Sequence, residues 1–245
     1  MYVGSRHSTN CSGLLEVIRY NRADDIEVRF VDSGTILSGI DAANIRKGTV
    51  ADPLAKTVCG IGYLGFGRHT ITNASRAYGK WSGMLGRVFR PQTKQIKTNY
   101  QDCQVHSSWL CFQTFADWYE DQPYFLEDGY ELDKDLKKFG NRIYSDEYCS
   151  VIPKELNSML SRITRTNRFG PGVGLVSTGK FTSGITVNGV HQYLGTYETP
   201  LLASMAYMNS FKAALIELGQ GLHSNQRITW LQLEHVKRFA DRISG

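Results

Sequence analysis

No stretch of this 245-residue chain approaches the roughly 18 consecutive apolar residues that span a bilayer as a helix, so no membrane partner is expected. The amino-terminal segment MYVGSRHSTNCSGLLEV lacks the basic, then apolar, then small-residue order of a signal peptide, and the expectation is a cytoplasmic protein. No CxxC pair occurs among Cys11, Cys59, Cys103, Cys111 and Cys149, and an odd number of cysteines without a leader argues against a disulfide framework. There is no P-loop and no G-x-S-x-G elbow, which leaves nucleotide hydrolysis and serine esterase chemistry without support. The run Gly60-Ile61-Gly62-Tyr63-Leu64-Gly65 matches the dinucleotide fingerprint by letter only. Phe66-Gly67-Arg68-His69-Thr70 follows instead of a helix start, and the next acid is Asp102, so the run reads as a glycine-rich strand or turn.

Acidic residues are missing altogether from Pro53 to Gln101, where Lys56, Arg68, Arg76, Lys80, Arg87, Arg90, Lys94 and Lys97 stand. The next segment inverts the sign, with eight acids and a single lysine between Cys103 and Asp135. The formal net charge of +5 is therefore what remains of two opposed blocks and a basic carboxy-terminal third. Such asymmetry speaks about partners rather than fold, and a polyanion is the first candidate; a solvated helix face paired with the acidic stretch is the alternative. The 41% hydrophobic and 21% charged residues exclude disorder and leave enough apolar material for a core in one large domain or two to three small ones.

Leu14 to Tyr20, Ile26 to Val31 and Thr35 to Leu37 read as short strands separated by turn compositions, a small SH3-like barrel over residues 1–52. Between Ser75 and Phe89, Ala77, Trp81, Met84, Leu85 and Val88 follow helical spacing and leave Arg76, Lys80, Arg87 and Arg90 on other faces. Val105 to Tyr119 repeats the pattern with Trp109, Phe112, Ala116 and Tyr119, which read as core. Cys103, His106 and Cys111 have a C-x2-H-x4-C spacing that, with Cys149, would suit zinc; the neighbouring aromatics suit buried, metal-free cysteines better.

Tyr130 to Leu136, Gly140 to Tyr144 and Cys149 to Pro153 read as strand, turn and strand, and a helix follows with Pro153 at its first position and Leu156, Met159 and Leu160 as its stripe, a ββα unit. Phe181 to Val187 and Val190 to Leu194 form a hairpin at Asn188-Gly189, with a third strand near Val173 to Val176. Thr199-Pro200 opens a helix with a small-residue face, and a last helix spans about Asn225 to Ile243. Lys237, Arg238 and Arg242 near its end suit the helix dipole. The expected class is α+β: a β-barrel-like module, a helical and ββα middle over 53–162, a three-stranded antiparallel sheet with one helix over 163–218, and a carboxy-terminal helix over 219–245.

Gly172-Val173, Gly179-Lys180-Phe181, Ile185, Gly189, Tyr193-Leu194-Gly195-Thr196-Tyr197-Glu198-Thr199, Ala203 and Ala206-Tyr207 resemble the AP2 DNA-binding domain. The resemblance implies a sheet that lies in the major groove of double-stranded DNA. The outward residues by position are Lys180, Thr182, Thr186, His191 and Tyr193, with Arg162, Arg165 and Arg168 holding phosphates. Gly174 and Thr186 stand where arginines are usual in that family, and Tyr193 where tryptophan is usual.

The middle of the chain, through Tyr78, Trp81, Trp109, Leu132-Asp133-Lys134-Asp135, Gly140-Asn141, Tyr144-Ser145, Cys149, Ile152-Pro153 and Asn157, is similar to tailed-phage proteins that join an HNH-like ββα unit to an AP2 module. The similarity implies a homing-endonuclease scaffold in which a histidine ends the first strand as general base and a divalent metal steadies the phosphodiester. Lys134 occupies that histidine position. A lysine is ordinarily protonated at neutral pH and donates rather than accepts. Cleavage is thus expected to be weak, unconventional or lost. The alternative is an active Mg2+-dependent endonuclease using Asp133, Asp135, Asn157 and His106, with Asp133 and Asp135 as metal ligands. A further alternative is a host-directed protein-binding factor that reuses the scaffold. The DNA-binding set expected from both resemblances and charge is Arg76, Lys80, Arg87, Arg90, Lys94, Lys97, Arg162, Arg165, Arg168, Lys180, Thr182, Thr186, His191 and Tyr193.

Overall fold

The computed structural model describes residues 1–90, 100, 102–163 and 167–243. It is a mixed α/β protein with six α-helices and several small antiparallel sheets among those residues, in two compact units that divide between Trp118 and Tyr119. That division falls inside the expected 53–162 segment.

The first unit opens on a four-stranded meander, β1 (Arg6–Ser8), β2 (Leu14–Arg22), β3 (Asp25–Phe30) and β4 (Ile36–Ile40), paired in sequence order. Sequence reading finds the last three of these, and β1 escapes it because three residues of mixed polarity carry no alternation. Leu15, Val17, Ile26, Val28 and Phe30 alternate inward to a core closed by Ala42 and Ile45 of α1 (Ala42–Arg46). Asp41 caps that helix by accepting from the Ala43 amide at 2.5 Å.

The helix α2 (Ser75–Phe89) matches its expected span and buries Ala77, Trp81, Met84 and Leu85. The expected single helix from Val105 to Tyr119 is instead a 3-10 turn, Ser107–Leu110, and α3 (Phe112–Glu120), whose last turn carries the chain into the second unit. The break has a cause in the glycine-rich segment. Tyr63 donates to the Leu110 carbonyl and accepts from the Phe112 amide, which holds Cys111 in an extended conformation between the two turns. Gly62 is required there, since a Cβ would sit 2.4 Å from Leu85 and 2.9 Å from Trp81. Trp81 donates its indole N–H to the Trp109 carbonyl at 2.7 Å and tilts against Phe112, so the expected aromatic core is present.

In the second unit, β5 (Tyr130–Asp133) and β6 (Ser150–Pro153) pair antiparallel, Tyr130 opposite Pro153 and Asp133 opposite Ser150. The helix α4 (Lys154–Leu160) follows and buries Leu156, Met159 and Leu160; Pro153 is its N-cap rather than its first residue. A strand, a strand and a helix are thus in the expected order. The first strand stops at Asp133 instead of Leu136 because the Asp133 carboxylate accepts from the Asp135 and Leu136 amides and turns the chain.

The strands β7 (Val173–Leu175), β8 (Phe181–Val187) and β9 (Val190–Tyr197) form an antiparallel sheet with β8 central. Asn188 and Gly189 both have positive φ, 51° and 80°, as a two-residue hairpin with right-handed strand twist demands. Thr199 caps α5 (Pro200–Ser224), accepting from Leu202, with Pro200 in the first turn. This helix runs 25 residues, past the expected end at 218, because Leu215, Gly219 and Leu222 find a second partner in α6 (Trp230–Arg242). The α6 start is later than expected, fixed by a reciprocal Thr229 and Gln232 capping box. Ile185, Tyr207, Phe211, Leu215, Leu233, Val236 and Phe239 share one core with Ile152, Leu156 and Leu160, so the ββα hairpin, the sheet and both long helices are one body. Among the described residues no helix is long and apolar enough to cross a membrane.

Candidate nucleic-acid interface

Alternation along β8 sends Ser183 and Ile185 toward α5, where they are 1% and 2% exposed. Thr182 and Thr186 therefore point away from the helix. The register carries this across the hairpin: Thr182 stands opposite Thr196, and Thr186 opposite His191. Tyr193, opposite Gly184, continues this outer face by alternation from His191, and the bulge between Ser183 and Gly184 shifts the register so that Thr196 joins it. Thr182, Thr186, His191 and Tyr193, four of the expected outward residues, are thus brought together.

Thr196 was not among them. The expected strand stops at Leu194, whereas β9 continues through Gly195, with a φ of 128°, to Tyr197. Alternation gives no signal for it: counting by twos from Tyr193 leads to Gly195, and the bulge moves the outer face to Thr196 instead. The face is polar and internally ordered. Tyr193 and Thr196 share a hydroxyl hydrogen bond of 2.5 Å, and Thr186 lies 3.4 Å from His191 Nδ1. The His191 ring lies over Gly184, where a Cβ would come within 2.6 Å of it.

Gly172, Gly174 and Gly184 leave a recess of about 290 Å³, also lined by Asn167, Thr182, Ser183 and His191. The buried Ser183 hydroxyl beside it has no hydrogen-bond partner among the described residues. Arg162 donates to the Thr186 carbonyl at 2.7 Å and Arg168 stacks on Phe169 at 4.5 Å. Lys180 is held by Glu198 at 2.5 Å rather than reaching outward alone.

The hairpin expected to carry cleavage is built differently. Asp133 is 3% exposed, and burial, then the Asp135 charge, pushes its carboxyl up to about 7 against the pull of its two amide donors. The Lys134 ammonium is also buried, donating to Asp135 at 2.7 Å and to the Asn141 carbonyl at 2.9 Å. Asn141 completes the knot by donating to the Lys134 and Ile143 carbonyls at 2.9 and 2.6 Å. Asn157 sits half-buried on α4. His106 belongs to the first unit, where it caps the 3-10 turn, its Nδ1 within 2.7 Å of Ser108. Among the described residues no group of three or more histidine, cysteine, aspartate or glutamate side chains is arranged to hold a metal ion. All five cysteines are free thiols, and burial raises the Cys149 thiol far above its usual range.

On α2, Arg76 is exposed and Lys80 and Arg87 are half-buried, with Arg87 over the Tyr100 ring at 5.9 Å; Arg90 follows the helix in solvent. Lys94, Lys97 and Arg165 lie outside the described residues. Sequence reasoning also missed a pair in this unit. His69, buried against Phe112, has Nε2 2.8 Å from Asp117, and this contact first, with Arg68 after it, holds the Asp117 carboxyl below the usual range. The partners are 48 positions apart, so no local motif announces them.

Comparison with protein-family models, with curated proteins and with solved structures finds no match for this chain.

Proposed function

We propose that the chain binds double-stranded DNA through the outer face of the β7–β9 sheet, and that the 130–153 hairpin is a structural element with no nuclease role. The observation that carries this reading is the row of Thr182, Thr186, His191, Tyr193 and Thr196 on the sheet face opposite the helix. Hydroxyl and imidazole groups donate and accept, which suits the mixed donor and acceptor edges of the major groove, and a β-ribbon fits that groove. Arg162 and Arg168 flank the sheet as phosphate contacts. The resemblance of the residues from Gly172 to Tyr207 to an AP2 module, read from the sequence, agrees with the sheet as the DNA-facing element.

The hairpin supports no HNH-type cleavage. A general base must present a lone pair and a metal site must present ionised oxygens, whereas Lys134 is a buried donor and Asp133 a buried carboxyl turned to the backbone. Fluorescence anisotropy with a labelled duplex tests the binding reading. The triple variant Thr186→Ala, His191→Ala, Tyr193→Ala should bind at least about tenfold more weakly, about 1.4 kcal/mol, and equal affinity would sink it.

A protein partner is the second reading, favoured by Leu201, Leu202 and Met205, which expose 68%, 47% and 52% of their surface on the first turns of α5. Capture by this chain of a partner that survives nuclease treatment, and is lost with Leu201→Ser, would favour it over DNA.

A further inference from the structure

Five cations of the second unit have carboxylate partners: Lys134 with Asp135, Lys180 with Glu198, Lys212 with Asp241, Arg227 with Glu155 and Lys237 with Glu234. Four others, Lys137, Lys138, Arg238 and Arg242, have none among the described residues and are carried by one loop and the helix it packs on. Leu136 is buried in the same core as Phe239, and Phe139 meets the Phe239 ring edge-on at 5.2 Å, which seats the 136–139 loop on α6. Lys137 is thereby placed beside the α6 face that carries His235, Arg238 and Arg242, and Lys138 follows it in the loop. Lys137 donates to the Asp146 carbonyl, Lys138 stands over the Tyr148 ring at 4.9 Å, and Arg242 reaches only the Lys137 carbonyl at 3.5 Å. The acids Asp146 and Glu147 are near Lys137, and neither forms an ion pair with it.

We propose that Lys137, Lys138, Arg238 and Arg242 form a second nucleic-acid site, one that takes consecutive phosphates of a single strand and is separate from the outer face of the sheet. The separation follows from the packing. The long helix α5 covers the inner face of the sheet through Phe211 and Ile185, and takes α6 against Gly219, so α6 lies on the helical side. The shape of the row favours a strand over a single anion. From position 235 to 242 a helix advances about 10 Å, the span of about three phosphates at the roughly 3.4 Å of helix axis per phosphate in one strand. Unpaired cations held this close repel one another, and a phosphate run relieves that repulsion. His235 sits within the group; burial, then Lys137, Arg238 and Arg242, hold its imidazole below the usual range, so a bound polyanion would raise it.

The site shares its ligand with the sheet reading, and the full-length chain separates the two. Duplex binding is followed by anisotropy against salt for wild type, for Arg238→Ala with Arg242→Ala, and for the sheet-face triple variant, each checked for folding by circular dichroism. The expected result is that the α6 variant lowers the log–log salt slope by about two while the sheet variant leaves the slope nearly unchanged. In wild type the His235 ring signal should also titrate at higher pH once duplex is added. An unchanged slope and an unmoved His235 titration in the presence of bound duplex overturn the α6 site alone. Full affinity in the sheet variant with a reduced slope in the α6 variant overturns the sheet reading alone. No binding by wild type at low salt overturns both.

Discussion

Replacing Asp133 with asparagine removes a charge from a place the fold keeps almost dry. The carboxyl is 3% exposed and its acidity is displaced from 3.8 to about 7, mainly by burial. An unfolded chain releases this proton near pH 4, while the native protein keeps it until about pH 7, so the native state binds more protons between those values and loses stability as pH rises through them. The displacement of about three pH units corresponds to about 4 kcal/mol at full ionisation. Asparagine has no such titration and can accept both amide donors on its single oxygen, although its new N–H groups cost about 1–3 kcal/mol if left unpaired. Between about pH 5 and pH 8 the variant should therefore gain about 3 kcal/mol on the wild type, whatever its absolute stability. Urea unfolding at the two pH values measures this directly. A difference between the proteins that is the same at both pH values would refute the reasoning. Added Mg2+ sharpens the test: a metal-binding carboxylate would make wild-type stability rise with Mg2+ and the variant's stay flat, and the buried-hairpin account predicts no rise in either.

Gly172→Ala should destabilise the second unit by about 2 kcal/mol or more, since φ is +68° there and the added Cβ would meet the Tyr207 ring at 1.9 Å; a lower urea midpoint checks it. Phe211→Ala empties a fully buried position in the shared core and should cost about 3–5 kcal/mol in the same measurement. Asn141→Ala removes both donors that tie the Lys134 and Ile143 carbonyls, and it should cost about 2 kcal/mol and speed amide exchange across 134–144; exchange as slow as in wild type would contradict the knot.

Where local rules act alone, the sequence was readable. The helical spacing over Ser75–Phe89, the Asn188-Gly189 hairpin and the Thr199-Pro200 helix start are all present, because each rests on neighbours within a few residues. The misjudged places are those where distant chain intervenes. Tyr63 splits the Val105–Tyr119 helix, Asp133 ends a strand early by capping the following turn, and α6 lengthens α5 by offering a second face to bury. The outer sheet face was legible by alternation up to Leu194 and lost at the Gly195 irregularity, which hid Thr196. The hairpin cations and carboxylates were found by type, but burial decides their chemistry, and no spacing in Asp133-Lys134-Asp135 announces that Lys134 turns inward to Asn141. Charge blocks pointed to a polyanion without showing which cations already have partners. Arg238 and Arg242, assigned by sequence to the helix dipole, have no carboxylate partner among the described residues.

The central claim is that DNA meets the outer face of the β7–β9 sheet. Amide and side-chain NMR shifts recorded during titration with a short duplex test it most directly. The account predicts that Thr182, Thr186, His191, Tyr193 and Thr196 shift together and saturate with the DNA, while Asp133, Lys134 and Asn141 in the hairpin stay still. Shifts that gather on the hairpin and leave the sheet face unmoved would contradict it.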